Sequence, residues 1–174
     1  MKKDVSIKNP LKGDSGASVA KRVVLISCVS KKVPGEERVP ARDLYISPLF
    51  KKAWAYAEKV IQPDAIYILS AEHHLLSPEA EVAPYNKTLN TMNAAERKEW
   101  AKVVKSQMID AGLDMEHDTF FILAGKMYYQ YLLGEGGIRN AKLVYKGCKG
   151  IGYILKFLTS KYEICKSTTT KRDD

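Results

Sequence analysis

The chain has 174 residues and a formal net charge of +8, and 45% of its residues are hydrophobic. This length is typical of a single domain that buries a core without disulfide or metal support. No stretch approaches the roughly 18 consecutive apolar residues of a membrane span, and residues 1–20 lack the apolar segment of a secretory signal. Three widely spaced cysteines, Cys28, Cys148 and Cys165, are typical of free thiols in a reducing compartment. We therefore expect one soluble, cytoplasmic domain.

Part of the positive charge is concentrated near the amino terminus. Residues 1–22 contain six basic and two acidic side chains, so their charge of +4 is half of the net charge of the chain. Residues 1–21 are polar and lack apolar periodicity, so they are predicted to form an unfolded basic arm. Phosphate groups attract lysine and arginine regardless of base sequence, so the charge favours nucleic acid as the partner. A basic arm that only aids solubility is the alternative.

Between the two ends, short apolar runs alternate with amphipathic stretches. The apolar runs are predicted strands, at 23–26, 65–69, 119–123 and 141–145. Ser47 followed by Pro48 predicts the start of a helix that continues to Val60, and Asn93 with Glu96 forms a capping box. The helix that Asn93 opens is predicted over 93–111, and its buried stripe consists of Trp100, Val103, Val104 and Met108. Two further helices are predicted at 127–133 and 151–158.

Strands that alternate with helices predict right-handed crossovers and a mainly parallel sheet. The expected architecture is a three-layer α/β/α domain over residues 22–160, followed by a flexible tail at 161–174. Ligands of such sheets bind beyond the carboxyl ends of the strands. The segments after Ile26, Leu69, Leu123 and Tyr145 are therefore the candidate site.

The first of these segments carries hydroxyl, thiol and amine groups. Ser27 and Cys28 are followed by Lys31 and Lys32. Nearby cations favour a thiolate, so Cys28 is a candidate nucleophile, and the two lysines with the backbone N–H groups are candidates to hold a phosphate. A small buried thiol beside two solvated lysines is the alternative.

The second segment carries a carboxylate and two imidazoles. Ser70 is followed by Glu72, His73 and His74. Adjacent histidines on an extended chain point in opposite directions, and the metal spacings Cys-x-x-Cys and His-Glu-x-x-His do not occur, so neither a metal nor another cofactor is predicted. A histidine near a carboxylate is a candidate for proton transfer, and the alternative is that it caps the loop by hydrogen bonding.

A long irregular stretch, residues 70–92, is typical of a functional loop. Tyr85 is a candidate to stack on a base, and Asn86 is a candidate to bond a base edge. The alternative for Tyr85 is that it packs the loop against the sheet.

In the third segment, Gly125 opens a short helix that carries Tyr128 and is suited to an anion. The turn before the last helix is rich in glycine and contains Lys149, but it matches no nucleotide-binding motif, which disfavours nucleoside triphosphate hydrolysis.

These segments resemble the YaaA peroxide-stress superfamily, and within it the short bacterial and phage domains of unknown function. The chain is also similar, through Ser27-Cys28 with Lys31-Lys32 and the later Pro84-Tyr85, to a core region of archaeosine synthase, which contains a domain similar to uracil-DNA glycosylases. The motifs that carry the superfamily resemblance are Leu25-Ile26-Ser27 with Lys31, Asp43-Leu44-Tyr45, Leu69-Ser70, Leu75 to Pro84-Tyr85, and Leu123-Ala124-Gly125 with Tyr128.

The resemblance implies a uracil-DNA-glycosylase-like fold that binds DNA and acts on a nucleobase. Two positions depart from the relatives, because His74 stands where they often have glycine and Asn86 where they often have aspartate. If that aspartate activates water in the relatives, this chain is slower, differently specific or inactive. Carried over by position, the residues implied to line the site are Ser27, Cys28, Lys31, Arg42, Asp43, Ser70, His73, Pro84, Tyr85, Gly125 and Tyr128.

The resulting hypothesis is a DNA glycosylase that acts on modified or damaged bases in a repair or stress response. The basic arm, Lys31, Lys32 and Lys149 would hold the phosphate backbone, and a flipped base would stack on Tyr85 or Tyr128. Asp43 or Glu72 would stabilise the charge on the sugar or orient water, and His73 would transfer a proton. The alternatives are a non-catalytic DNA-binding protein of stress or phage conflict, and a transferase that modifies a 7-deazaguanine base with help from Cys28. DNA is favoured over RNA, and the oligomeric state is left open.

Overall fold

A five-stranded sheet forms the centre of the computed structural model, which describes residues 18–169. The strands of the chain, in order, are β1 Arg22–Ser27, β2 Val39–Pro40, β3 Ala65–Ser70, β4 His74–Leu76, β5 Glu81–Val82, β6 Thr119–Leu123 and β7 Asn140–Leu143. The central sheet has the order β4-β3-β1-β6-β7, in which β4 is antiparallel to β3 and the other neighbours are parallel. The short strands β2 and β5 pair separately as an antiparallel ladder.

The helical segments connect and cover these strands. They are α1 Ala41–Leu44, α2 Pro48–Tyr56 with a π-helical turn Ala57–Ile61, a 3-10 turn Leu89–Thr91, α3 Ala94–Asp110, α4 Lys126–Tyr129 and α5 Ile151–Thr169. No helix within residues 18–169 is both long and apolar enough to cross a lipid bilayer.

Strand β1 is the centre of the core because it has a parallel neighbour on each side and helices over both faces. Its residues Val23, Val24, Leu25 and Ile26 are at most 1% exposed. A strand covered on both faces has no polar side, which is why its sequence is a continuous apolar run rather than an alternating one. The strand predicted at 23–26 is therefore confirmed, with one added residue at each end.

Helices lie on both faces of the sheet. The chain moves from β1 to β3 in one direction and from β3 to β6 and β7 in the other, so right-handed crossovers place α2 on one face and α3 with α4 on the opposite face. Helix α5 packs against α2, where the rings of Tyr56 and Phe157 lie 5.8 Å apart. The predicted mainly parallel α/β architecture is confirmed.

Both predicted helix starts have the expected capping contacts. The Ser47 hydroxyl accepts a hydrogen bond from the Phe50 N–H, and Pro48 is the first helical residue. Asn93 and Glu96 exchange both bonds of a capping box at the start of α3. These contacts satisfy backbone groups that the first helical turn leaves without an internal partner.

The final helix is longer than predicted. Helix α5 continues past Leu158 to Thr169, so the tail predicted at 161–174 is helical as far as Thr169. Its second half is held by contacts that periodicity does not show, because Lys52 donates to the Thr159 hydroxyl and the Cys165 thiol lies 3.3 Å from the Lys59 carbonyl. Residues 170–174 and residues 1–17, which include most of the predicted basic arm, lie outside the described residues.

Three smaller predictions also differ from the structure. Strand β7 ends at Leu143, and a turn replaces the predicted last two strand residues. Helix α4 is a single turn that ends at Tyr129 rather than at Leu133, and residues 130–132 form turns before the bridge between Leu133 and Ile138. In α3, Val103 is 42% exposed, and Ala101 takes its place in the buried stripe.

Candidate functional site

The ends of β1, β3 and β6 meet at one edge of the sheet, which we call the carboxyl edge. The Cys28 N–H donates to the Leu69 carbonyl, so the pairing of β1 with β3 continues one residue past β1. The Cys28 thiol lies 3.3 Å from the hydroxyl of Tyr128, which follows β6. The predicted convergence of these three segments is therefore present in the structure.

A chain of three hydroxyl groups lies beside this contact. The Tyr85 hydroxyl is 2.8 Å from the Ser70 Oγ and 2.7 Å from the Tyr45 hydroxyl. Ser70 is fully buried and Tyr45 is 1% exposed, so both bonds are shielded from water. The Ser70 Oγ also accepts bonds from the backbone N–H groups of Glu72 and His73, which fixes the turn after β3. Tyr85 thus ties its loop to the end of β3.

One amine lies on the faces of these phenol rings. The Lys32 Nζ is 4.2 Å from the centroid of the Tyr85 ring and 5.7 Å from that of Tyr45. Burial lowers the pKa of Lys32, although the nearby Cys28 thiol opposes that shift. Its neighbour Lys31 is exposed, and only its backbone carbonyl bonds to this region, accepting from Ile46. Lys32 was predicted only to contact the phosphate backbone of a nucleic acid. Of the two lysines, it is the one whose side chain reaches the site.

We call Cys28, Lys32, Tyr45, Ser70, Tyr85 and Tyr128 the strand-end cluster. Burial raises the pKa of Tyr45, Tyr85 and Tyr128, and the proximity of Cys28 raises all three further. The three phenols therefore stay protonated at neutral pH, where they act as hydrogen-bond donors and acceptors rather than as nucleophiles. Every buried side-chain nitrogen and oxygen among the described residues has a hydrogen-bond partner.

The two adjacent histidines point to different surroundings, as predicted. His73 meets the Tyr85 ring edge-on, with 5.4 Å between centroids, whereas His74 stacks against Trp100 at 6.4 Å. The Trp100 Nε1–H donates to the Ser70 carbonyl, so α3 also supports the turn after β3. Burial and the nearby charge of Lys87 lower the pKa of His74. The His73 ring therefore meets a ring of the strand-end cluster, whereas His74 contacts the cluster through its backbone, which pairs with Ser70.

The backbone of His74 has a φ of +64°, in the left-handed region that favours glycine. A residue with a side chain in that conformation costs about 1–2 kcal/mol. The geometry of this turn therefore favours glycine at position 74. In this chain the stacking of His74 on Trp100 offsets part of that cost.

The predicted catalytic carboxylates lie outside the strand-end cluster. The Asp43 side chain is 65% exposed and pairs with Arg42. Arg42 lines a surface cleft with Asp64 and Ala65 at the start of β3, on the far side of the sheet from its carboxyl edge. Glu72 follows Ser70 in the chain, but its carboxylate is half-exposed and lies 3.4 Å from the Lys87 amine. The Glu72 carboxylate thus pairs with Lys87 and lies near the His74 imidazole, whereas the Asp43 carboxylate pairs with Arg42.

The other predicted residues take peripheral positions. Ser27 is the last residue of β1 and Pro84 is half-buried beside Tyr85, whereas Asn86 is exposed. Gly125 caps α4, which at four residues is too short for a helix-end anion site, and Lys149 is exposed in the turn before α5. Cys28 is 7% exposed and bonded to Tyr128, which favours the buried-thiol interpretation over a nucleophile.

Charge differs between the two edges of the parallel sheet. The six residues that follow each of β1, β3, β6 and β7 contain five lysines and one acidic residue, Glu72. The six residues that precede each of these strands contain three basic and five acidic side chains. The acidic side includes Asp64 and Asp118, which accept bonds from the backbone N–H groups of Arg22 and Lys21. The carboxyl edge is thus the positively charged edge.

Two residues of the site were not predicted. Tyr45 entered the sequence analysis only as part of a motif, because its role depends on a contact with Tyr85, forty residues later in the chain. Trp100 was predicted as a core residue of α3, and its indole N–H gives it a second role that periodicity does not show.

No group of three or more His, Cys, Asp and Glu side chains within residues 18–169 is arranged to hold a metal ion. The three cysteines are all unpaired.

Comparison with known proteins gives one match. No curated protein and no solved structure is significantly similar to the chain. A family model described as "Family of unknown function (DUF6884)" matches residues 23–160, which span the sheet from β1 to the first half of α5. This chain therefore belongs to the DUF6884 family.

Proposed function

We propose that the chain binds DNA through the carboxyl edge of its sheet and acts on a nucleobase there. The observation that carries this proposal is the strand-end cluster itself, in which aromatic rings and an amine meet at the positively charged edge. A phosphate backbone is attracted by the surrounding lysines, and an unstacked base finds rings to contact.

The lysines at the strand ends support the backbone contact. Lys31, Lys126 and Lys149 follow three different strands and are exposed. They therefore extend the positive charge of the carboxyl edge from β1 across β6 to β7, where a strand of DNA could pass. Each phosphate contact contributes to affinity by releasing a counterion, independently of base sequence.

Tyr85 is the better of the two candidates for stacking on a base. It is half-buried on an irregular loop, while Tyr128 is buried and bonded to the Cys28 thiol. A base that reaches the cluster must be flipped from the duplex or come from a single strand. Tyr128 then has a supporting role, which is to fix Cys28 at the end of β1.

A glycosylase-type reaction uses a proton-transfer group and a carboxylate near the sugar. His73 lies at the cluster and Glu72 is the adjacent carboxylate, so these two residues take the catalytic roles in this proposal. The resemblance to YaaA-type domains and to uracil-DNA-glycosylase-like enzymes supports the same chemistry. Asp43 has no part in this proposal, because its carboxylate pairs with Arg42 and no contact joins it to the cluster among the described residues.

Binding is tested by measuring the affinity for duplex and single-stranded DNA across a salt series. Replacing Lys31 and Lys149 together by alanine is expected to lower the slope of log affinity against log salt by about 2. Lys59→Ala is the matched control because Lys59 lies before β3, at the opposite edge. Equal slopes for the double variant and the control would refute the proposed binding edge.

Catalysis is tested with DNA that contains uracil, hydroxymethylated or oxidised bases, by assaying released base and abasic sites. His73→Ala and Glu72→Gln are expected to lower release by roughly 100-fold, the ordinary contribution of acid–base catalysis. Asp43→Asn is the matched control and is expected to leave release unchanged. Loss of activity in Asp43→Asn together with retained activity in Glu72→Gln would reverse these assignments.

A second candidate function is DNA binding without catalysis. The observation that favours it is that the cluster's polar groups bond to one another instead of facing a substrate. The three hydroxyls and the thiol all form their bonds within the cluster. The carboxylate of Glu72 is likewise paired with Lys87. Binding with a steep salt dependence and no released base from any of these substrates would establish this function instead.

A further inference from the structure

Lys32 has the surroundings of a reactive amine rather than of a simple phosphate contact. Its side chain is half-buried, and its Nζ lies over the rings of Tyr85 and Tyr45, 3.4 Å from the Ser30 carbonyl and near the Cys28 thiol, which opposes the lowering of its pKa by burial. Among residues 18–169, no aspartate or glutamate forms an ion pair with it. A lysine that only binds phosphate is best placed in water, where it keeps its charge.

The burial that lowers the pKa of Lys32 also makes the neutral amine easier to reach. A neutral lysine amine is a nucleophile that forms imines with carbonyl compounds. The adjacent Lys31 has the same amine on an exposed side chain, so the difference between the two lysines comes from the fold and not from residue type.

DNA offers few carbonyl groups that can form an imine. The carbonyls of intact bases are amide-like and unreactive toward amines, whereas the open form of an abasic sugar and a formylated base each carry an aldehyde. We propose that Lys32 forms an imine with an aldehyde in DNA at the strand-end cluster, an activity that rests on the DNA binding proposed above.

The reaction balances without an added cofactor. The Lys32 nitrogen attacks the aldehyde carbon and gives a carbinolamine, which loses water to form the imine. With an abasic sugar, the imine makes the hydrogen on the neighbouring C2′ acidic. Loss of that proton to a base is followed by cleavage of the C3′–O bond, and the 3′-phosphate leaves. Water then releases the unsaturated sugar aldehyde and restores the amine.

His73 is placed to take the proton from C2′. The rings of His73 and Tyr85 meet in a T-shaped arrangement, and the Lys32 amine lies over the Tyr85 ring, so both groups contact the same tyrosine. The backbone of His73 is held by the Ser70 hydroxyl, which fixes the start of its side chain. A formylated base has no such sugar proton and no leaving phosphate, so it would form the imine without strand cleavage.

Two oligonucleotide substrates distinguish these sources of the aldehyde. The full chain is incubated with duplex and single-stranded DNA that contains either one abasic site or one formylated pyrimidine, in the presence of borohydride. Borohydride reduces the imine to a stable secondary amine, so a covalent complex appears on a denaturing gel. Strand cleavage at the abasic site is measured in parallel without borohydride.

The test variant is Lys32→Arg, which keeps the positive charge and cannot form an imine. At a DNA concentration that saturates each variant, the covalent complex is expected to fall by roughly tenfold or more. Lys59→Arg is the matched control at the opposite edge and is expected to trap normally. His73→Ala is expected to keep trapping and to slow strand cleavage.

The outcomes separate this proposal from the one on which it rests. If the chain binds neither DNA substrate, both proposals are wrong. If it binds DNA but gives no covalent complex, or if Lys32→Arg traps as well as the unsubstituted chain, only the imine is refuted and the binding function stands. A complex with formylated DNA alone assigns the aldehyde to the base rather than to the sugar.

Discussion

The bonds of the Tyr85 hydroxyl provide a test of the strand-end cluster that does not depend on any ligand. Replacing Tyr85 by phenylalanine keeps the ring and removes only the oxygen that bonds to Ser70 and Tyr45. Both partners are inaccessible to water, so neither can replace the lost bond with solvent. A buried polar group left without a partner costs about 1–3 kcal/mol.

Two buried groups lose a bond in Tyr85→Phe, but Ser70 keeps the two backbone N–H groups that donate to it. We therefore expect the free energy of unfolding to fall by about 2 kcal/mol, near the middle of that range. Urea denaturation measures the change. With a slope of roughly 1–3 kcal/mol per molar urea, the midpoint should fall by about 1 M without a change in slope.

Tyr153→Phe is the matched control, because Tyr153 is 64% exposed and its hydroxyl lies in solvent. It should change the free energy of unfolding by no more than about 0.5 kcal/mol. The double variant Tyr45→Phe with Tyr85→Phe should cost less than the sum of the single variants, because the two hydroxyls stabilise each other. If Tyr85→Phe destabilises the chain no more than Tyr153→Phe does, the described bonds contribute nothing.

Three further predictions concern the supports of the site and the opposite edge. Asn93→Ala removes half of the capping box of α3 and should lower the free energy of unfolding by about 1 kcal/mol in urea denaturation, whereas an unchanged midpoint would contradict the cap. Trp100→Phe removes the indole N–H that donates to the Ser70 carbonyl, and hydrogen exchange of the turn after β3 should quicken; unchanged exchange would show that α3 does not hold that turn. The bonded Asp114 carboxylate raises the pKa of His117, so an NMR titration should place it above the ordinary value and Asp114→Asn should bring it back. Because that pKa is higher in the folded chain, the contribution of His117 to stability is present below its unfolded pKa and is lost as pH rises through the folded value.

Most of the fold could be predicted because its elements leave local signals. The buried strands are continuous apolar runs, and the caps at Ser47 and Asn93 are short-range patterns that the structure confirms. The end of α5 left no such signal. It depends on contacts of Thr159 and Cys165 with residues more than a hundred positions earlier, which no local pattern contains.

The candidate site was predicted in position but not in detail. The rule that parallel strands share a carboxyl edge correctly placed Cys28, Ser70 and Tyr128 together. That rule does not say in which direction each side chain points after the strand ends, so it did not distinguish Lys31 from Lys32. Of these two lysines, only Lys32 lies over the rings of the cluster. Asp43 was assigned from its motif, and in the structure its side chain is exposed and its carboxylate pairs with Arg42.

The hydrogen of the Ser70 hydroxyl has one direction in which to form a bond. A hydroxyl oxygen has two lone pairs, and those of Ser70 are both taken by backbone N–H groups, so its own hydrogen points to Tyr85. The Tyr85 oxygen accepts that bond, and either phenol can donate the next one between Tyr85 and Tyr45. The direction of the bond from the serine to Tyr85 is therefore set by the backbone of the turn that carries His73.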